Sequence, residues 1–195
     1  MTPVSIPFAK TEAHGNDFLI VSEEHATNAP SKLAIAMCDR LRGVGADGLI
    51  LYRSENDRFV MTLFNSDGSS AEISGNGLRC LGAYLTHAGI AAGSELEVET
   101  GAGLLSLSAL GREGTTFRFR ADLGPPRDVE TEVEIDIGET TLSATTLSMG
   151  NPHCIVSPTA TRSESSAQSS SAILIFRKER TSSSSKSWIG TPSVW

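Results

Sequence analysis

The stretch 65–80, NSDGSSAEISGNGLRC, leads a polar, glycine-punctuated loop into an apolar-periodic segment. A chain that enters a helix through Ser74-Gly75-Asn76-Gly77 leaves its first backbone N–H groups without intrahelical acceptors. Those donors and the helix macrodipole suit a carboxylate. A side chain at Ser74 would feel the same field, which favours an anionic nucleophile or base. Serine is also a common helix cap, and a hydroxyl that only accepts a first-turn N–H would explain the residue without any chemistry. Cys80, about one turn further on, is either a thiol with a role or a small buried hydrophobe. Cys38 and Cys154 read as structural.

Two shorter segments set amide and imidazole groups beside glycine: His14-Gly15-Asn16-Asp17-Phe18 and Met149-Gly150-Asn151-Pro152-His153. Each is also what a plain turn looks like, since Asn, Gly and Pro are turn residues. Gly43-Val44-Gly45-Ala46-Asp47-Gly48 satisfies the G-x-G-x-x-G pattern of dinucleotide binding. That pattern needs a strand before it and a helix after it, so that the helix N-terminus meets the pyrophosphate. Here a helical segment comes first and a strand follows, so we expect a tight turn in which glycines supply positive φ.

The elements that must hold these groups read as strands with two isolated helices. Residues 18–21 (FLIV), 49–52 (LILY) and 59–64 (FVMTLF) are apolar runs of strand length, the last two joined as a hairpin across 53–58. Residues 31–42 have helical apolar spacing, with Ser31 as cap and Gly43 as stop, and a second helix runs over 76–87 with Gly89 past its end. From 95 to 120 the pattern turns to β (ELEVET, LLSLSAL, TFRFR), and VEIDIGE, LSMG and HCIV extend it to Val156. This predicts an α+β fold, a curled and mostly antiparallel sheet packed around a central helix, with a partial second lobe. The expected organisation is a first lobe over 1–120, the start of a second over 121–156, and a tail over 157–195.

The tail is set apart by composition. Residues 157–195 are dominated by serine, contain no Asp and one Gly, and carry a net charge of +3, against −10 for the rest of the 195-residue chain. The overall charge of −7 argues against a nucleic-acid footprint, and no apolar run is long enough to cross a bilayer. Three widely spaced cysteines without a CxxC disfavour a disulfide framework and a structural zinc site. With no signal-peptide pattern at the N-terminus, the expected setting is the cytoplasm, in a reduced state.

Taken together, FAKTEAHGNDF, CDRLRGVGADG, FNSDGSSAEISGNGLRC and SMGNPH resemble the diaminopimelate epimerase family in order and spacing, over residues 8–156. The resemblance implies two similar lobes with the substrate between them, no cofactor and no metal, and membership of lysine biosynthesis. It implies that two cysteines, one from each lobe, take a proton from the substrate α-carbon and return one to the opposite face, converting LL- to meso-diaminopimelate. By the same resemblance Asn16, Asn65 and Asn151 match asparagines that bind substrate. Gly75 and Asn76 match the backbone donors of the first helix, and His153 matches a histidine supporting the acid–base pair. Diaminopimelate is the implied partner, with a homodimer left open.

The departures carry as much weight. Ser74 stands where the resemblance places the first catalytic cysteine, and a hydroxyl ionises far less readily than a thiol of pKa about 8.5. Some relatives in the wider superfamily do work with a hydroxyl residue there. His14 sits two positions later than the family histidine, and Gly48 falls where a polar residue is often found. None of the family's second-half motifs, including its cysteine–glycine–threonine–glycine turn, occurs in residues 157–195. We therefore expect a truncated, impaired epimerase with Ser74 and His153 at its catalytic positions, the alternative being a non-catalytic amino-acid-binding remnant. The tail is expected to be a frame-shifted reading of a second lobe, and poorly ordered.

Overall fold

The computed structural model describes residues 5–137, 140–149 and 152–156, with the backbone of 174–175, 177–178 and 188–189. The chain divides into two compact units, residues 1–124 and 125–195. In the first, β1 (Ala9–Ala13) and β2 (Asn16–Ser22) precede α1 (Pro30–Cys38). The hairpin β3 (Gly48–Glu55) and β4 (Arg58–Asn65), the short β5 (Ser70–Ala71) and α2 (Gly75–His87) follow. Then come β6 (Glu95–Thr100), β7 (Gly103–Glu113) and β8 (Thr116–Asp122). These strands form one sheet in the order β1-β2-β3-β4-β6-β7-β8, with β5 paired to β4. Pairing is antiparallel except between β2 and β3 and between β4 and β6. This is the α+β arrangement expected, a curled mixed sheet with α2 packed inside it.

Alternation along β2 and β3 explains the two cores. Phe18, Ile20, Ile50 and Tyr52 face α2, whose Leu78, Leu81 and Leu85 are fully buried among Met61, Leu63, Leu96, Val98 and Leu107. Leu19, Val21, Leu49 and Leu51 point the other way, onto Leu33, Ala34 and Cys38 of α1. Mid-helix Gly82 is required by this packing, because a Cβ there would run into the Leu107 side chain. The β3–β4 turn is Asn56-Asp57, both with positive φ (48° and 64°), a two-residue turn whose twist matches the strands it joins.

Two local expectations change and a third holds. Helix α1 stops at Cys38, because the Asp39 carboxylate accepts the N–H groups of Leu41 (2.8 Å) and Arg42 (3.0 Å) in a turn that replaces the next helical one. Ala29 occupies its N-cap with Pro30 in its first turn, and Ser31 instead donates its hydroxyl to the Gly68 carbonyl (2.7 Å). Residues 43–48 do form a helix-to-strand turn: Gly45 has φ +81°, while Gly43 is needed for close approach to the backbone carbonyls of Ala36 and Met37.

The sheet of the first unit is open. Its edges are β1 and β8, and among the described residues neither has a second strand partner. A hollow of about 750 Å³ lies between them over α2, lined by Thr11, Cys80, Tyr84, Phe117 and Phe119 among others.

The second unit contains β9 (Arg127–Ile137), β10 (Thr140–Ser148) and β11 (Pro152–Val156) as an antiparallel meander. The two-residue β12 (Leu174–Ile175) pairs with β11, and β13 (Arg177–Lys178) pairs with β14 (Trp188–Ile189). Ala144, Cys154 and Val156 form its small core. Asn151 and nearly all of the serine-rich tail, including 157–173, lie outside the described residues.

Candidate active site

Ser74 occupies the N-cap of α2 in an extended conformation (φ −136°, ψ 120°). Its Oγ accepts the Gly77 N–H at 3.0 Å, and its carbonyl accepts the Leu78 N–H at 2.8 Å. The hydroxyl thus takes the capping role open to any serine at such a position. The N–H groups of Gly75 and Asn76 are the first two of the helix and have no intrahelical acceptor. A side chain at Gly75 would press on Leu123 (3.3 Å) and on Arg79 Nη1 (3.4 Å), whose guanidinium donates back to the Gly75 carbonyl at 2.9 Å.

Asn76 reaches across to the start of β2, where its Nδ2 donates to Asn16 Oδ1 at 2.9 Å. Asn16 in turn donates its Nδ2 to Asp47 Oδ2 at 3.2 Å. Asn16 is not merely a turn residue: the turn is His14-Gly15, and Asn16 is the first residue of β2, paired with Ala13. Ser74, Gly75, Asn76 and Asn16 are therefore brought to one end of α2. Asn65 closes β4 opposite Gly48, next to that group in the sheet, but its own amide Nδ2 donates to Ser69 Oγ (2.9 Å) and closes the 65–69 loop. His153 belongs to the second unit, opposite Leu147 on β10, and burial lowers its pKa from the ordinary value.

Asp47, Asp17 and Arg40 were not singled out by sequence. Each aspartate accepts the other's backbone N–H, Asp17 N–H to Asp47 Oδ2 at 3.1 Å and Asp47 N–H to Asp17 Oδ1 at 3.0 Å. Arg40 Nη2 lies 2.6 Å from Asp17 Oδ1 and 2.9 Å from Asp47 Oδ1, and Lys10 Nζ lies 3.1 Å from Asp17 Oδ2. The Arg40 guanidinium above all, with Lys10 assisting, holds the Asp17 carboxyl far below the usual carboxylate range.

The thiols are in a different state. Cys80 and Cys38 are buried, and loss of hydration pushes each up to about 11; burial also raises Cys154. None is a thiolate near neutrality, because the apolar surroundings disfavour the charged form. Among the described residues no group of three or more His, Cys, Asp or Glu side chains could hold a metal ion.

The family model described as diaminopimelate epimerase matches residues 8–129. A diaminopimelate epimerase of Desulforudis audaxviator is 40% identical over 164 residues, covering 76% of this chain and 59% of the relative. That of Synechococcus elongatus is 38% identical over 170 residues, covering 78% and 59% respectively. The chain thus spans about three-fifths of the length of these relatives. Among solved structures, a probable proline racemase of Agrobacterium radiobacter shares the fold with a TM-score of 0.65 at 18% identity, covering 78% of this chain and 52% of its own. A hydroxyproline epimerase of Agrobacterium vitis does so with a TM-score of 0.63 at 15% identity, covering 77% and 51%. From these matches, this chain belongs to the diaminopimelate epimerase family.

Proposed function

We propose that the first unit carries one side of a diaminopimelate-binding site, centred on the open end of α2. The observation that carries this reading is the direct Asn76–Asn16 amide contact beside the uncapped N–H groups of Gly75 and Asn76. Polar groups sixty residues apart in sequence meet where a carboxylate would find backbone donors and amide N–H groups together. Family membership makes that carboxylate the amino-acid end of diaminopimelate and the chemistry an epimerisation at its α-carbon, without a cofactor, in lysine biosynthesis. By family membership Asn65, Asn151 and His153 correspond to further residues of the family's substrate site in this reading. Three unpaired cysteines accord with a reducing, cytoplasmic setting.

Removing a proton from that α-carbon requires a strong base held out of water. Ser74 stands in the base position, and its Oγ already accepts a helix N–H, which stabilises the end of α2 without supplying a base. This favours a second reading of the present chain, a binder that does not turn over. Solvent-deuterium exchange into diaminopimelate, followed by proton NMR, should therefore show no rate above background, while the ligand perturbs the amides of Asn16 and Asn76. Ser74→Cys places a thiol at the helix end, where it should ionise below about 8.5 and be alkylated well before Cys38 and Cys80. Robust exchange by the unaltered chain would overturn the non-catalytic reading, and unperturbed amides at saturating diaminopimelate would overturn the binding site.

A further inference from the structure

We propose that Asp47 is a positioning residue, fixing which way round the Asn16 amide sits and, through Asn16, which atoms Asn76 presents at the start of α2. The inference rests on the binding-site reading above for its consequence, but its cause lies in the hydrogen-bond pattern alone. An ionised carboxylate can only accept. Asp47 Oδ2 takes the Asn16 Nδ2 and the Asp17 backbone N–H, while Oδ1 takes Arg40. The amide nitrogen of Asn16 must therefore face Asp47, which turns its Oδ1 toward Asn76 Nδ2.

Rotating the Asn16 amide by half a turn would set oxygen against carboxylate on one side and nitrogen against nitrogen on the other. Both hydrogen bonds would be lost in one move, and both contacts would become repulsive. Direction thus passes along the chain Asp47, Asn16, Asn76, and leaves Asn76 Oδ1 and one N–H of each amide for a ligand. The carboxylate that sets this direction is itself anchored. Arg40 bridges it to Asp17, and the two aspartates clasp each other's backbone where the parallel strands β2 and β3 begin. Asn16 alone has no such preference, since its two amide atoms are nearly equal in size.

The test replaces Asp47 by the residue of the same shape that both donates and accepts. In Asp47→Asn, side-chain amide NMR of the full chain should show the Asn16 and Asn76 signals moving toward those of solvent-exposed asparagine, with Asn56 unchanged. Affinity for diaminopimelate should fall about tenfold, the scale of one misdirected hydrogen bond. The exchanged pair Asn16→Asp with Asp47→Asn restores a donor–acceptor sequence in front of Asn76 and should return the Asn76 signal to its original position. If Asp47→Asn alone does not fold, the exchanged pair is read against the unaltered chain, whose Asn76 signal it should match. A purely architectural Asp47 would give no such return. Unmoved Asn16 and Asn76 amides in Asp47→Asn, or no return in the exchanged pair, would overturn the proposal. If the unaltered chain fails to bind diaminopimelate, the binding-site reading falls, while the amide comparison still decides the role of Asp47.

Discussion

Strands β2 and β3 are covered on both faces, by α2 on one side and α1 on the other, whereas β6 buries one face only and β8 half-buries one. The difference is written in their composition. FLIV and LILY are unbroken apolar runs in which every residue is buried, while ELEVET and TFRFR place a charged or polar side chain at every second position. A strand between two layers has no solvent face on which to spend a polar residue, so its pattern becomes continuous. How many layers cover a strand can be read from its sequence even where its neighbours cannot.

The largest test of this contrast is Leu49→Ala on β3. Leu49 is fully buried against the α1 side, and its truncation should cost about 2–5 kcal/mol in urea denaturation. A cost below about 1 kcal/mol, no more than a surface substitution, would mean that α1 does not seal that face. Next is Gly82→Ala, which should cost about 1–3 kcal/mol because the new methyl group forces Leu107 aside. Gly111→Ala, where a Cβ meets nothing within 4 Å, is the control and should be close to neutral.

A smaller effect appears only in acid. Asp17 has its pKa depressed by Arg40 and Lys10, so its stabilising contribution is present above the unfolded value of about 3.9 and is lost as pH falls from there toward the folded value. Asp17→Asn should flatten the fall in denaturation midpoint between about pH 5 and pH 2; an unchanged slope would show that other carboxylates dominate. Smallest of all is Glu97→Ala on the exposed face of β6. It breaks a 2.8 Å pair with Arg58 between two half-exposed side chains and should change stability by less than about 1 kcal/mol.

Much of this fold was legible because local pattern and tertiary role agree. Helix α2 was expected over 76–87 and runs over Gly75–His87, and the alternating region resolved into β6, β7 and β8 as three antiparallel neighbours. Strand β1 was missed because AKTEA is small and charged, with little to mark a strand beyond its pairing with β2. The end of α1 was missed because a single carboxylate, Asp39, competes for the next N–H groups, and periodicity is blind to that competition. At the candidate site, Ser74, Gly75 and Asn76 were visible as a loop-to-helix junction. The Asp17–Asp47–Arg40 cluster was not, since only the parallel register that sets Phe18 beside Gly48 brings residues thirty apart into contact. A carboxylate directly before a strand, preceded by a glycine turn, was the one available signal at Asp47, and it was absorbed into the reading of that turn.

The open sheet has a colloidal consequence. Along both edges the exposed positions carry charge: Lys10 and Glu12 on β1, and Arg118, Arg120 and Asp122 beside Thr116 on β8. A strand from another molecule, arriving to pair with either edge, must bring those charges out of water or place its own opposite them. The dehydration of those charges disfavours such pairing. Added salt screens the interactions among them, as the screening length shrinks from about 10 Å at 0.1 M to about 3 Å at 1 M. The tendency of this chain to associate through its edges therefore depends on the electrolyte around it as well as on its own sequence.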